Sequence, residues 1–291
     1  VTLHNAIKDA VRQAGLPDVR RQENLSGGCI YNVMRLTLED GRHVVVKSTD
    51  ATDRGVFDEE ACSLQRLAQT NTVLTPAPFG VFVSNNHAVL IMESIETGRA
   101  SADAWWRFGE DLSALHACDV GQRYGFEMDN HLGGTFQPNT WCDDWVTFNA
   151  DYRIGHQRRL ATDRGLLNAR EAKRIDQVID RLADMLPRHP KPALLHGDLW
   201  SGNALPAADD RVAVIDPASY IGDGWADIAM MKLFGGFPRG CFEAYERNAT
   251  DVDLVDDRIA IYQLYHVLNH LNLFGRGYAS QAMAIAQRFG A

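Results

Sequence analysis

The stretch Leu194-Leu195-His196-Gly197-Asp198-Leu199-Trp200-Ser201-Gly202-Asn203 decides the reading of this chain. Ala193, Leu194 and Leu195 form a short apolar run that predicts a buried strand. A polar loop follows at once, carrying the carboxylate of Asp198 and then the carboxamide of Asn203. A second apolar run, Val212-Ala213-Val214-Ile215, ends in Asp216. Strand, acidic loop, Asn, strand, Asp is the order that phosphoryl transfer requires. One carboxylate accepts the proton of an attacking hydroxyl, while a carboxamide and a second carboxylate hold metal ions on the phosphates of ATP. Asp198 is therefore the candidate base, and Asn203 and Asp216 are the candidate ligands of Mg²⁺. His-Gly-Asp and Gly-Asn are also ordinary turn sequences. Asp216, placed after the second strand, weighs against a purely structural turn.

The composition narrows the class. With 291 residues, 45% of them apolar, the chain can build one large domain or two lobes. A net charge of −9, from 38 acidic and 29 basic residues, argues against a nucleic-acid binder, which needs a basic face. The five cysteines (Cys29, Cys62, Cys118, Cys142, Cys241) are scattered and form no C-x-x-C, so neither a disulfide framework nor a zinc site is expected. A reducing cytoplasm fits this usage best. Leu3, Ile7, Val11 and Ala14 recur at helical spacing between polar residues and predict an amphipathic first helix rather than a signal peptide. No apolar run approaches the ~20 residues of a membrane span.

Residues 1–94 read as a β-rich lobe. Gly27-Gly28 lies between two β-prone runs, where backbone N–H groups can approach phosphate oxygens; a plain hairpin turn is the commoner meaning. Cys29 follows, a candidate redox-sensitive thiol or simply a small buried residue. Asp40-Gly41 signals a hairpin between Val33–Leu38 and the run ending in Lys47. The catalytic stretch resembles the kinase catalytic loop and metal-binding segment. In that setting a lysine at position 47 contacts the nucleotide phosphates and is held by a helical glutamate. The predicted helix from Gly55 to Gln69 offers Glu59 and Glu60; Glu60 is the favoured partner, with Glu59 left in solvent. After Pro76 and Pro78 a second hairpin leads into a connector, and adenine is placed against the backbone of Glu93 and Ile95.

Residues 95–291 read as helical. Ser101 predicts an N-cap, and helices are expected over 143–161, 168–186, 228–234, 259–274 and 280–289, with a long Gly- and Asn-rich connection over 118–139. Asp227 suits either a helix start or a brace for the catalytic loop. Trp200, Tyr220 and Trp225 suit either the core or the face of a sugar. His266 and His270, four residues apart, share a helix face. With no third ligand in view, they suit a polar pocket wall or a core network better than zinc.

Beyond these motifs, His196–Asn203 is similar to the H-G-D-L-W-x-G-N stretch of the fructosamine-3-kinase (ketosamine kinase) family. Gly27–Asn32, Asp216–Tyr220, Leu233–Phe237 and Tyr262–His270 also resemble that family's segments, so the likeness spans almost the whole chain. The chain departs from the pattern at Ile221–Asp227, where Trp225 stands in place of an acidic residue. The resemblance implies an α+β, bilobal protein-kinase-like fold of the aminoglycoside-phosphotransferase type. A small, mostly antiparallel β N-lobe with one main helix would sit on a larger helical C-lobe. It implies ATP-dependent, Mg²⁺-assisted phosphorylation of the 3-hydroxyl of a ketosamine, free or protein-bound, in deglycation. Asp198 would then be the base, Asn203 and Asp216 the metal ligands, Lys47 the phosphate contact and Glu60 its partner. A monomer or weak dimer without nucleic-acid or membrane partners is expected. The rival readings are a kinase of another small alcohol on the same fold, or a catalytically silent nucleotide-binding regulator.

Overall fold

The computed structural model describes residues 3–25, 31–249 and 252–289. Gly27, Gly28 and Cys29 lie outside the described residues. β1 (Val19–Asn24), β2 (Asn32–Leu38), β3 (His43–Asp50), β4 (Pro78–Ser84) and β5 (His87–Glu93) form one antiparallel sheet in the order β1-β2-β3-β5-β4. Asn85 and Asn86, both with positive φ (50° and 63°), turn β4 into β5.

Helix α1 (Leu3–Gln13) covers one face of this sheet and α2 (Arg54–Gln69) the other. The sheet thus carries the main helix α2 on one face and the amphipathic first helix α1 on the other. Double coverage explains why β5 is continuously apolar from Ala88 to Met92. Val89 and Ile91 pack with Ile7, Ala10 and Val11 of α1. Ala88, Leu90 and Met92 pack with Phe57, Ala61 and Leu64 of α2. The same alternation divides β3: Val44 and Val46 join the α1 cluster, while Val45 packs on the α2 side. Side chains two apart share a face, so Lys47 is delivered to α2. Because β3 runs on to Asp50, Lys47 is an interior, buried residue of the strand and not an exposed strand end.

The rest of the chain is mainly helical. α3 (Ala102–Ala117) begins where Ser101 Oγ accepts the Ala104 N–H at 3.1 Å. The long connection that follows holds a short hairpin, β6 (Asn130–Leu132) and β7 (Thr135–Gln137). The helix expected over 143–161 is α4 (Trp145–Phe148) and α5 (Ile154–Asp163), joined by a wide π turn over Asn149–Arg153. α6 (Ala169–Asp180), closed by an Asn168–Glu171 capping box, and α7 (Leu182–Met185) lead to β8 (Pro192–Leu195). Then come β9 (Ala204–Pro206), β10 (Val212–Val214), β11 (Tyr220–Asp223) and α8 (Trp225–Phe234). α9 (Arg239–Asn248), α10 (Val255–Phe274) and α11 (Ala279–Phe289) complete the chain. β8 pairs with β11 and β9 with β10, both antiparallel. One core, including Trp145, Phe148, Leu195, Ile228, Leu264 and Leu268, holds these elements together. Among the described residues no helix is long and apolar enough to cross a membrane.

Candidate active site

The loop after β8 is shaped by glycine and held by one acid. Gly197 sits at φ +84°, and a Cβ there would lie 2.1 Å from the carbonyl oxygen of Ala218. Only glycine fits both constraints. His196 Nε2–H donates to the Ile215 carbonyl at 2.9 Å, which leaves Nδ1 to accept the Asp198 N–H at 3.2 Å. Burial holds the imidazole below its usual pKa, so the neutral form this arrangement needs is favoured. Asp227, buried at the start of α8, accepts the N–H groups of His196 at 2.8 Å and Gly197 at 2.9 Å, and His116 Nε2 at 3.1 Å. Burial by itself would raise the Asp227 carboxyl; the His116 hydrogen bond and the neighbouring imidazoles and N–H groups bring it below the ordinary range. Of its two possible roles, Asp227 is the brace of this loop.

Asp198 is half-buried beside Asn203, whose Nδ2 donates to the Asp198 carbonyl at 2.8 Å and to Oδ2 at 3.2 Å. That commits the nitrogen end of the carboxamide, so the end left for a cation is oxygen. Asp216 follows β10 at φ +56°, a conformation rare for a residue with a side chain and concentrated at functional sites. Burial first, and then the negative charge of Asp216, push the Asp198 carboxyl up to about 7, while the Asn203 hydrogen bond opposes the rise.

Lys47 closes the site from the sheet side. Its ammonium donates to both oxygens of Glu60, at 2.7 and 2.8 Å, and to Asp216 Oδ1 at 2.7 Å. Burial would depress the Lys47 pKa, but the two carboxylates raise it above its ordinary value. The Glu60 carboxyl is raised, because burial and the Asp216 charge outweigh Lys47. Glu59 is not left in solvent: it is mostly buried and pairs with His131 Nδ1 at 2.8 Å.

The Glu93 N–H donates to the Ala77 carbonyl at 2.9 Å, and its carboxylate accepts the Ala77 N–H at 3.2 Å. The Glu93 N–H is therefore engaged in holding the chain, and Ile95 lies half-buried just beyond β5. Tyr220 and Trp225 are core residues; Trp200 stays exposed beside Asp198. Asp223 was not anticipated. It is buried and accepts from Arg258 Nε at 2.8 Å and from the Tyr262 hydroxyl, which pins β11 to α10. His266 is buried, and among the described residues no metal-binding cluster of His, Cys, Asp or Glu forms.

The residues present fit Mg²⁺ carried on a nucleotide. Mg²⁺ takes oxygen donors, usually one or two protein carboxylates with the remainder from phosphates and water. The site offers two carboxylates and one carboxamide oxygen, and the Asp216 charge, which after burial is what raises the Asp198 carboxyl, is one that a dication offsets.

A five-stranded sheet contributing Lys47 and its flanking helix α2 contributing Glu60, set against a helical body contributing Asp198, Asn203 and Asp216, define a kinase-like phosphotransferase fold. Aminoglycoside phosphotransferase APH(4)-Ia has this fold too: its crystal structure matches with a TM-score of 0.65 at 18% identity, covering 100% of both chains. The family is narrower than the fold. Residues 3–290 match the fructosamine kinase family model, and the chain belongs to that family. It is 38% identical over 270 residues to a probable ketoamine kinase of Synechocystis sp., covering 93% of this chain and 90% of that protein. The crystal structure of a candidate fructosamine-3-kinase from Thermobifida fusca matches at 30% identity with a TM-score of 0.88, covering 97% of this chain and 98% of that one.

Proposed function

We propose that the chain transfers the γ-phosphoryl group of ATP to the 3-hydroxyl of a ketosamine, free or carried on a protein, as a step in deglycation in the cytoplasm. Residues 1–94 and 95–291 act as the two lobes, with the nucleotide between them. Membership of the fructosamine kinase family supports the acceptor class. The observation that carries the chemistry is the convergence of Asp198, Asn203, Asp216 and the Lys47–Glu60 pair, linked by hydrogen bonds and by the charge of Asp216 on Asp198.

Asp198 orients the 3-hydroxyl and takes its proton as the oxygen attacks the γ-phosphorus and the bond to ADP breaks. A carboxyl raised to about 7 is a base matched to neutral pH. Asn203 keeps that carboxylate in one orientation through its 3.2 Å hydrogen bond. Glu60 holds the Lys47 ammonium so that it can donate to phosphate oxygens. Mg²⁺, when bound by Asp216 and the Asn203 oxygen, supplies the charge that offsets the phosphates. The chain's contribution is positioning and electrostatics.

The test is a coupled ATP-consumption assay with fructosyl-lysine, ribulosyl-lysine and an aminoglycoside as acceptors. Turnover of the two ketosamines is expected, and turnover of the aminoglycoside alone would refute the acceptor class. Asp198→Asn should lower kcat by about 10²–10⁴ with ATP affinity nearly intact; retained turnover would show that the proton goes elsewhere.

A further inference from the structure

An aromatic cluster of the helical lobe takes no part in the steps above. His270 of α10 sits among Phe234 at the end of α8, Phe274 at the end of α10 and Tyr278 in the turn beyond. The three ring centroids are 4.8, 5.4 and 5.2 Å from that of the imidazole, respectively. Rings that touch usually turn inward, yet Phe234 is 42% and Phe274 63% exposed. His270 has a defined tautomer: its Nδ1–H donates to the His266 carbonyl at 2.8 Å, so Nε2 carries a lone pair. Burial lowers its pKa and keeps the ring neutral. Three π faces and one acceptor nitrogen, with no positive charge among them, suit a cation that bears N–H groups.

The cluster borders the catalytic loop. Phe234 runs directly into Gly235 and Gly236, and a Cβ on Gly236 would lie 2.6 Å from Cβ and Oγ of Ser201. Ser201 belongs to the same short loop as Asp198 and Asn203. The cluster is carried by α8, α10 and the turn after α10, in the helical part of the chain.

We propose that His270, Phe234, Phe274 and Tyr278 form the subsite for the amine arm of the acceptor, a secondary alkylammonium and the hydrocarbon chain attached to it. The assignment rests on the ketosamine reading, because a ketosamine presents such an ammonium three carbons from its reacting hydroxyl oxygen. The nitrogen donates to His270 Nε2, and the methylenes lie on the exposed faces of Phe234 and Phe274. His270 and the three aromatic residues select the acceptor; they move no proton.

The test compares fructosyl-lysine with its thioether analogue, in which sulfur replaces the amine nitrogen and removes the charge. Wild-type protein should show a KM for fructosyl-lysine about tenfold below that for the thioether, with similar kcat. Phe274→Ala and His270→Ala should erase that preference by raising only the fructosyl-lysine KM. Phe274→Tyr, which keeps a ring, should restore it. The exposure of Phe274 makes its replacement compatible with folding, and the KM for ATP serves as the internal control. Equal KM values for the two acceptors in the wild type, or variants that raise both alike, would overturn the subsite and leave phosphoryl transfer standing. If neither acceptor is phosphorylated, calorimetric binding of fructosyl-lysine decides. Binding weakened about tenfold by Phe274→Ala upholds the subsite while the reaction reading falls, and absence of wild-type binding overturns both. If Phe274→Ala changes only the sedimentation of the chain, the surface is a self-association face and the subsite is refuted.

Discussion

Replacing Asp227 by Asn leaves the shape of the side chain unchanged and removes its charge, and the consequence can be worked from three hydrogen bonds. One carboxylate oxygen accepts the His196 N–H at 2.8 Å and His116 Nε2 at 3.1 Å; the other accepts the Gly197 N–H at 2.9 Å. An asparagine has one acceptor oxygen. If that oxygen keeps His196 and His116, the amide NH₂ faces the Gly197 N–H, donor against donor, inside the protein. Orphaning a buried N–H costs about 1–3 kcal/mol, and turning charge-assisted bonds into neutral ones costs about 1 kcal/mol more. The expected loss of unfolding free energy is therefore about 3 kcal/mol, within the stability of a normal domain, so the variant still folds. The loop can relieve the conflict only by moving Gly197, and Asp198 moves with it. Urea unfolding should thus show the loss of stability, and kcat should fall at least about tenfold with ATP affinity intact. The sign with pH is fixed as well. The folded Asp227 carboxyl is lowered, so its stabilisation is present above the unfolded value and is lost as pH falls through the folded one. The gap between wild type and variant should therefore narrow in acid. A gap under about 0.5 kcal/mol at neutral pH together with full turnover would refute the bracing role.

Gly197→Ala should be worse than its size suggests, because the new Cβ would lie 2.1 Å from the Ala218 carbonyl oxygen at φ +84°. A loss of more than about 3 kcal/mol is expected by thermal or urea unfolding, and a variant as stable as wild type would contradict the loop geometry. The His131–Glu59 pair should give a pH-dependent clasp. The Glu59 hydrogen bond raises the His131 pKa, so the stabilisation is complete below the unfolded value and lost as pH rises through the folded one. His131→Ala should cost up to about 1 kcal/mol near pH 6 and less near pH 9; a difference that does not change with pH would exclude the clasp.

What could be read in the sequence was what neighbouring residues dictate. The Val44–Val46 run before Lys47 and the breaks at Asp40-Gly41 and Asn85-Asn86 mark strands β2 to β5. The spacing from Asp198 to Asn203 and on to Asp216 outlines the site. What escaped depends on partners far along the chain. Asp227 looks like any acid in a first helical turn until the His196 and Gly197 N–H groups are brought to it. Glu59 looks solvated until the β6–β7 hairpin presents His131. That hairpin is itself poorly marked, because carboxamides tie it to distant carbonyls: Asn130 Nδ2 donates to the Ser219 carbonyl at 2.8 Å and Gln137 Nε2 to the Ala218 carbonyl at 3.3 Å. α9 went unrecognised because glycine and aromatic residues weaken its local helical signal. What fixes it is packing on α3, where a Cβ on Gly109 would lie 2.1 Å from the Cys241 carbonyl oxygen.

Helix α2 is fastened to the helical lobe at several points along two of its turns. Glu59 holds His131, Cys62 Sγ donates to Glu127 at 3.1 Å, Ser63 Oγ accepts the Ser219 N–H at 3.4 Å, and Arg66 lies 3.8 Å from Glu127. A rod riveted in this way does not swing by itself. Shifting α2 as a body, and Glu60 with it, would break these contacts together with the Lys47 ion pair, so the fastenings and the grip on the lysine would give way as one.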